Sequence, residues 1–365
     1  MGTGESGHVV YPTRNNMSYI NPVGKILRHP ERLTAMKQGR IFPPIGMEVD
    51  LTNRCNLGCN FCHFGYTHSK GPLAKQFEKD GLLDMGDEMD IDLLRRVLIQ
   101  MRTYEVESVT FTGGGEPTLY PHFFDATMIA SELGLKLGLY TNATLVTREL
   151  ADLIKEYYQW VVVSLDYATR EEYRISKKVD AFEDARAGVI KLVGGKAKVG
   201  VSFLLDWKHT DTEAMQMLGR GLGADYIEFR PKISYDLENP SVPSEDTSWI
   251  NKVMPHLRSA STMSDLEVRL TSFEHYANWK REYALCRGIL FTGVITPNGK
   301  VWACVNRRGF PSSEIGDLNK NSFAEVWANQ QAFRVNDQCR VMCRADEINR
   351  TLDALSKPLV HESFV

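Results

Sequence analysis

Long hydrophobic runs are missing from this sequence: the purest apolar stretch, Trp160–Leu165, is already interrupted by Ser164, far short of the roughly 18 residues of a membrane span. The chain does not open on a basic stretch followed by an apolar one, and Met1-Gly2 lacks the polybasic companion that a stable lipid anchor needs. A cytoplasmic protein without membrane contact is expected. Net charge is scarce too: 43 Lys and Arg against 46 Asp and Glu leave −3, which removes the basic excess that broad nucleic-acid binding requires. With 28 Gly and 15 Pro in 365 residues and 43% hydrophobic content, the composition fits neither a fibrous nor a disordered chain. Cysteine is sparse, and its distribution is what speaks. Three of the seven fall at Cys55, Cys59 and Cys62, and four at Cys286, Cys304, Cys339 and Cys343. An odd number in a chain without an export signal argues against a disulfide framework.

Between residues 46 and 231 short β-branched runs alternate with helical patterns, beginning with Met47–Thr52, which leads straight into the first cysteine group. Such alternation predicts parallel βα units. Six strands are too few for a closed barrel of eight in roughly 250 residues, so the expected fold is α/β, a partial (β/α)6 TIM-like barrel. Residues 1–45 read as an N-terminal extension, 46–231 as the core and 232–282 as a connecting region with a strand at Leu266–Leu270. Residues 283–365 read as a small C-terminal domain of a β-hairpin and a helix, the hairpin turning at Pro297-Asn-Gly299.

Three thiolates on a loop leaving a strand are one ligand short of a tetrahedral zinc site, which the adjacent His63 would complete. An iron–sulfur cubane with one iron left open is the other reading. Four thiolates in the C-terminal domain make a closed site for zinc or a second cluster.

The arrangement Cys55-x3-Cys59-x2-Cys62, with the aromatic Phe61 before the last cysteine, resembles the radical S-adenosylmethionine superfamily. The resemblance implies that the triad holds a [4Fe–4S] cluster whose fourth iron is chelated by S-adenosylmethionine, and that reductive cleavage releases a 5′-deoxyadenosyl radical. It also implies cofactor contacts at Phe61, at Gly114-Gly115-Glu116 for the amino group, at Asn142, and at Ser164 and Asp166 for ribose or carboxylate. Arg230, after the sixth strand, is a candidate for holding a carboxylate or phosphate, with a peripheral salt bridge as its competing role. Ala143 stands where the family usually has Gly after Thr-Asn, which weakens the case for a left-handed backbone there. Helix capping is the competing role for Ser164 and Asp166. The C-terminal group, Cys286-x12-Gly299-x4-Cys304 with Cys339-x3-Cys343, resembles the truncated, single-cluster (Twitch) form of the auxiliary SPASM domain, implying a second [4Fe–4S] cluster.

The resemblance further implies an external reductant such as flavodoxin or ferredoxin. Lacking the peptide-recognition domain and seven-cysteine auxiliary domain of many peptide-modifying relatives, the chain is expected to act on a small, polar, sugar-like or cyclitol metabolite, with alcohol dehydrogenation as the leading reaction. Redox-neutral carbohydrate epimerases, dehydratases or decarboxylases, peptide maturation and a non-catalytic electron carrier are the alternatives. Candidates for acid–base work are His63, Tyr66 and His68 in the loop beyond the triad and Glu228, with His275 and Tyr276 weaker.

Overall fold

The computed structural model describes residues 22–62, 87–206, 208, 211–232, 247–263, 266–270, 273, 280–335, 339 and 343–357. Two short helices, α1 (Pro22–Ile26) and α2 (Pro30–Lys37), precede β1 (Gly46–Asp50). The alternating region then runs α3 (Ile91–Thr103), β2 (Ser108–Thr112), α4 (Phe123–Glu132), β3 (Lys136–Thr141), α5 (Arg148–Tyr157) and β4 (Tyr158–Asp166). It continues as α6 (Arg170–Lys177), α7 (Phe182–Leu192), β5 (Lys198–Leu205), α8 (Thr212–Gly221), β6 (Tyr226–Pro231), α9 (Ser248–Met263) and β7 (Glu267–Leu270).

Local chemistry explains the boundaries. Asp90, Thr147, Thr169 and Asp211 each accept a hydrogen bond from a backbone N–H in the first turn of α3, α5, α6 and α8, the usual N-cap device. The sequence pattern reads 169–192 as one helical region. The structure divides it, because Lys178 takes a left-handed backbone (φ 62°) that ends α6.

β1 to β7 lie side by side in chain order, all parallel. The six expected core strands are present, and β7, the strand expected at Leu266–Leu270 of the connecting region, joins their sheet as a seventh. Period-2 alternation separates the two faces. Met47, Val49, Phe111, Leu139, Val161 and Val201 face the helices and join one apolar core. Their neighbours Glu48, Asp50, Tyr140, Ser202, Glu228 and Arg230 therefore lie on the other, inner face.

The C-terminal region holds β8 (Leu285–Cys286), β9 (Thr292–Ile295), β10 (Lys300–Trp302), β11 (Glu314–Asp317), α10 (Phe323–Trp327), β12 (Phe333–Arg334) and α11 (Asp346–Ser356). The β9–β10 hairpin turns at Gly299, whose φ is +80°, as the Asn-Gly signal requires. β9 also pairs, in parallel, with the free side of β1, placing Gly46 opposite Thr292 and Val49 opposite Ile295. The core and the C-terminal domain thus share a ten-stranded sheet among the described residues. Ile26, Met36 and Phe42 from the N-terminal region pack on Phe291 and Leu352. Among the described residues no helix is long and apolar enough to cross a membrane.

Candidate active site

The cysteine loop hangs between three neighbours at the C-terminal mouth of the parallel strands. Gly58 and Asn60 donate backbone N–H groups to the carbonyls of Lys177 and Ser176 at the end of α6. Asn56 bridges to Thr144 and Asn142 after β3, at 2.8 and 2.9 Å. Gly115 N–H donates to the Thr52 carbonyl at 3.0 Å, and Glu116 N–H to that of Arg54 at 2.8 Å. Residues 87–89 lie against this loop, where Asn53 N–H donates to Asp87 O and Met89 N–H to Leu51 O.

From the sequence, the bare glycines after β2 are expected to admit an approaching ammonium group. At Gly115 that space belongs to the cysteine loop itself, since a Cβ would stand 1.9 Å from the Arg54 carbonyl oxygen. Gly115→Ala should therefore prise the two loops apart. Overpacking of this kind costs typically about 1–3 kcal/mol, and equilibrium denaturation should register it together with weakened S-adenosylmethionine binding.

Glu116 is 3% exposed and ties the β2 loop to β3. Its Oε1 accepts from Thr118 N–H, Thr118 Oγ1 and Thr141 Oγ1, at 3.2, 2.8 and 2.6 Å, and its Oε2 from Asn142 N–H at 2.7 Å. Burial raises its carboxyl pKa, with these hydrogen bonds pulling the other way. Glu116→Gln puts an amide where only acceptors fit. Loss of one hydrogen bond to a charged group should cost about 1.5–3 kcal/mol, read as a lower unfolding midpoint of protein with normal iron content.

Ala143 adopts φ 59°. The left-handed backbone expected to be dispensable there is present after all, and Gly188 of α7 makes room for it: a Cβ on Gly188 would stand 2.0 Å from the Ala143 carbonyl oxygen.

Ser164 and Asp166 do not cap α6, a role Thr169 fills. Ser164 Oγ donates to Asp166 Oδ2, and the Lys177 ammonium reaches Asp166 Oδ2 at 2.5 Å and the Ser164 carbonyl at 2.8 Å. Lys177 is 1% exposed and lies over the rings of Phe61 and Tyr173, at 5.5 and 5.4 Å. Burial works against its charge, yet Asp166, Cys59 and Tyr173 together outweigh burial and hold its pKa above the ordinary lysine range. Sequence reasoning missed Lys177, because a lysine in an amphipathic helix ordinarily faces water.

Burial pushes the Cys55 and Cys59 thiols up to about 12; Cys62 charge pushes the same way, and Lys177 pulls both back. In the C-terminal domain burial raises Cys304, lifts Cys286 to about 11 and Cys343 to about 12, and neighbouring cysteines add to each. Thiols that feel one another's charge in this way resist ionisation until a cationic centre neutralises them, which is the chemistry of cluster ligands; among the described residues no three such groups are gathered tightly enough for a single metal ion.

On the inner face, Glu228 is 4% exposed and stands in register between Ser202 and Arg269. Arg230 Nε donates to Ser202 Oγ at 2.9 Å. Two acids of β1 also escaped sequence reasoning. Asp50, fully buried, pairs with Arg308, and Glu48 pairs with Arg344 at 2.8 Å. Met47, Val49 and Leu51 alternate with them, which was the available signal. His63, Tyr66, His68, His275 and Tyr276 lie outside the described residues.

Residues 49–216 match the Radical SAM superfamily and residues 286–345 the Iron-sulfur cluster-binding domain, SPASM. A tungsten-containing aldehyde ferredoxin oxidoreductase cofactor-modifying protein from Pyrococcus furiosus is 31% identical over 42% of this chain, a match spanning 39% of that relative's length. The PqqA peptide cyclase of Methylorubrum extorquens strain PA1 is 24% identical over 80% of this chain and 73% of its own. In fold, the chain resembles Streptococcus suis SuiB bound to precursor peptide SuiA, with TM-score 0.61, 16% identity, and coverage of 88% of this chain and 73% of that one. This corrects the expected sugar-like or cyclitol small-molecule partner, since that neighbour holds a peptide. The expectation rested on the lack of an added recognition domain, which leaves open what the inner face of the sheet accepts.

Proposed function

A radical SAM domain followed by an SPASM iron–sulfur domain makes this chain a radical SAM enzyme, and from that premise we propose that it modifies a residue of a peptide substrate. The observation that carries the substrate class is the similarity over four-fifths of the chain to a peptide cyclase, with the fold of a peptide-bound enzyme in support. The likeness to a cofactor-modifying protein covers only the shorter segment.

In this reading Cys55, Cys59 and Cys62 hold the cluster that binds S-adenosylmethionine, and Cys286, Cys304, Cys339 and Cys343 hold one auxiliary cluster, the single-cluster arrangement. With both cofactors bound, the site supplies a 5′-deoxyadenosyl radical that abstracts hydrogen. The chain does the positioning. Gly114, Gly115 and Glu116 would shape the wall for the cofactor amino group; Glu116 fixes that wall through Thr118, Thr141 and Asn142, and its Oε2, which accepts only from Asn142 N–H, keeps a lone pair for the ammonium. Asn142, Ser164, Asp166 and Arg230 border the cofactor from β3, β4 and β6, while Phe61 covers Lys177. Glu228 faces inward and can accept a proton from substrate.

The test is anaerobic incubation of reconstituted enzyme with dithionite and S-adenosylmethionine, offering a peptide fraction and a small-metabolite fraction of cell extract separately. Mass spectrometry should find 5′-deoxyadenosine and a product mass change with the peptide fraction. A response confined to the metabolite fraction would refute the peptide reading.

A further inference from the structure

Asn349 stands in α11, four residues past the matched cluster domain, and its side chain is 1% exposed. Its Oδ1 accepts from two consecutive backbone donors, Arg287 N–H and Gly288 N–H, each at 2.7 Å. Backbone N–H groups only donate, so the amide cannot be flipped without turning an NH2 against both of them. The orientation of Nδ2 is thereby dictated, and what it meets is the Cys286 sulfur, at 3.2 Å. The backbone is shaped for this approach: a Cβ at Gly288 would lie 3.0 Å from Ala345 Cβ and 3.4 Å from Asn349 Oδ1.

We propose that Asn349 is a positioning residue for the auxiliary cluster, donating Nδ2–H to the Cys286 thiolate, so that it both aims this ligand and sets the cluster's reduction potential. The inference rests on the reading that Cys286 is a ligand. β8 is only two residues long, so the strand gives Cys286 little support, and Asn349 holds both its sulfur and the backbone that follows it. A donor to a ligand sulfur favours the more negative, reduced state of a cluster, because it disperses the added charge.

A merely structural clamp would need only Oδ1. Asn349→Asp separates the two roles, since it keeps an acceptor for Arg287 and Gly288 and replaces the donor with oxygen. In the reconstituted holoenzyme, the auxiliary signal is identified by electron paramagnetic resonance as the one unchanged by S-adenosylmethionine. Asn349→Asp should shift its one-electron equilibrium toward the oxidised form by tenfold or more, about 59 mV. An unchanged potential at full iron content would overturn the proposal.

Wild-type enzyme labelled with 15N in the asparagine side-chain amide gives a second measurement that does not depend on the variant loading its iron. Pulsed resonance of the reduced auxiliary cluster should show a coupled amide nitrogen, and its absence would refute the contact. Cys286→Ala distinguishes the underlying reading: retention of all iron would remove Cys286 as a ligand and the proposal with it. Iron loss in Cys286→Ala combined with an unshifted Asn349→Asp potential would defeat the proposal alone.

Discussion

Alanine at any one of Cys55, Cys59 or Cys62 should bring 5′-deoxyadenosine formation down to the level of a protein-free control. A cubane held by three thiolates has no spare protein ligand, so removing one leaves the cluster without the site that chelates S-adenosylmethionine. The same change at Cys304 or Cys343 should remove about four irons per chain yet leave deoxyadenosine measurable, because the proposed assignment puts those cysteines at the auxiliary cluster. Iron analysis and chromatography of anaerobically reconstituted variants supply both numbers. Undiminished cleavage from a folded triple alanine variant of the first group would take these thiols out of the mechanism.

Arg308→Met is expected to be the most damaging change away from the cysteines. It strips the counter-ion from Asp50, which is fully buried, while Arg308 itself is 6% exposed. Breaking a buried pair from one side costs roughly 3–5 kcal/mol, much more than the intact pair contributes. Burial already raises the Asp50 pKa, with Arg308 pulling it down; without the arginine it rises further. A carboxyl whose folded pKa lies above its unfolded one destabilises at pH above both, and the penalty fades as pH falls through the folded value. Urea unfolding of the variant should accordingly show a deficit at neutral pH that narrows on acidification. A deficit independent of pH would mean that the loss lies in packing. Asp50→Asn combined with Arg308→Met should recover most of the stability, since no unpaired charge remains.

Several parts of this architecture are legible in the amino-acid sequence alone. The triad spacing, the glycines after β2 and the strand–helix rhythm are local signals, and each follows from chemistry within a dozen residues. What escapes depends on contacts distant in sequence. β9 joins β1 across some 240 residues of chain, and nothing in Thr292–Ile295 announces a parallel partner. The role of Gly115 is hidden for the same reason: its neighbour is the backbone of Arg54, not an incoming ligand. Lys177 and Asn349 look like ordinary helical polar residues until Asp166 and Cys286 are placed beside them. The substrate is the least legible feature, because missing modules say nothing about a surface that periodicity alone cannot describe.

The pairing of β9 with β1 limits how the two halves can be recombined. Cutting the chain after residue 282 would strip the partner from Gly46–Val49 and leave a row of open backbone groups on a sheet edge, an invitation to aggregation. Grafting a foreign cluster domain would meet a steric condition as well, since a Cβ at Gly293 would lie 3.0 Å from Met47 Cε and 3.1 Å from the Trp327 ring. Chimeras should be most stable when the incoming strand brings a glycine to that position, since any side chain there must push the Met47 methyl and the Trp327 ring aside by a few tenths of an ångström.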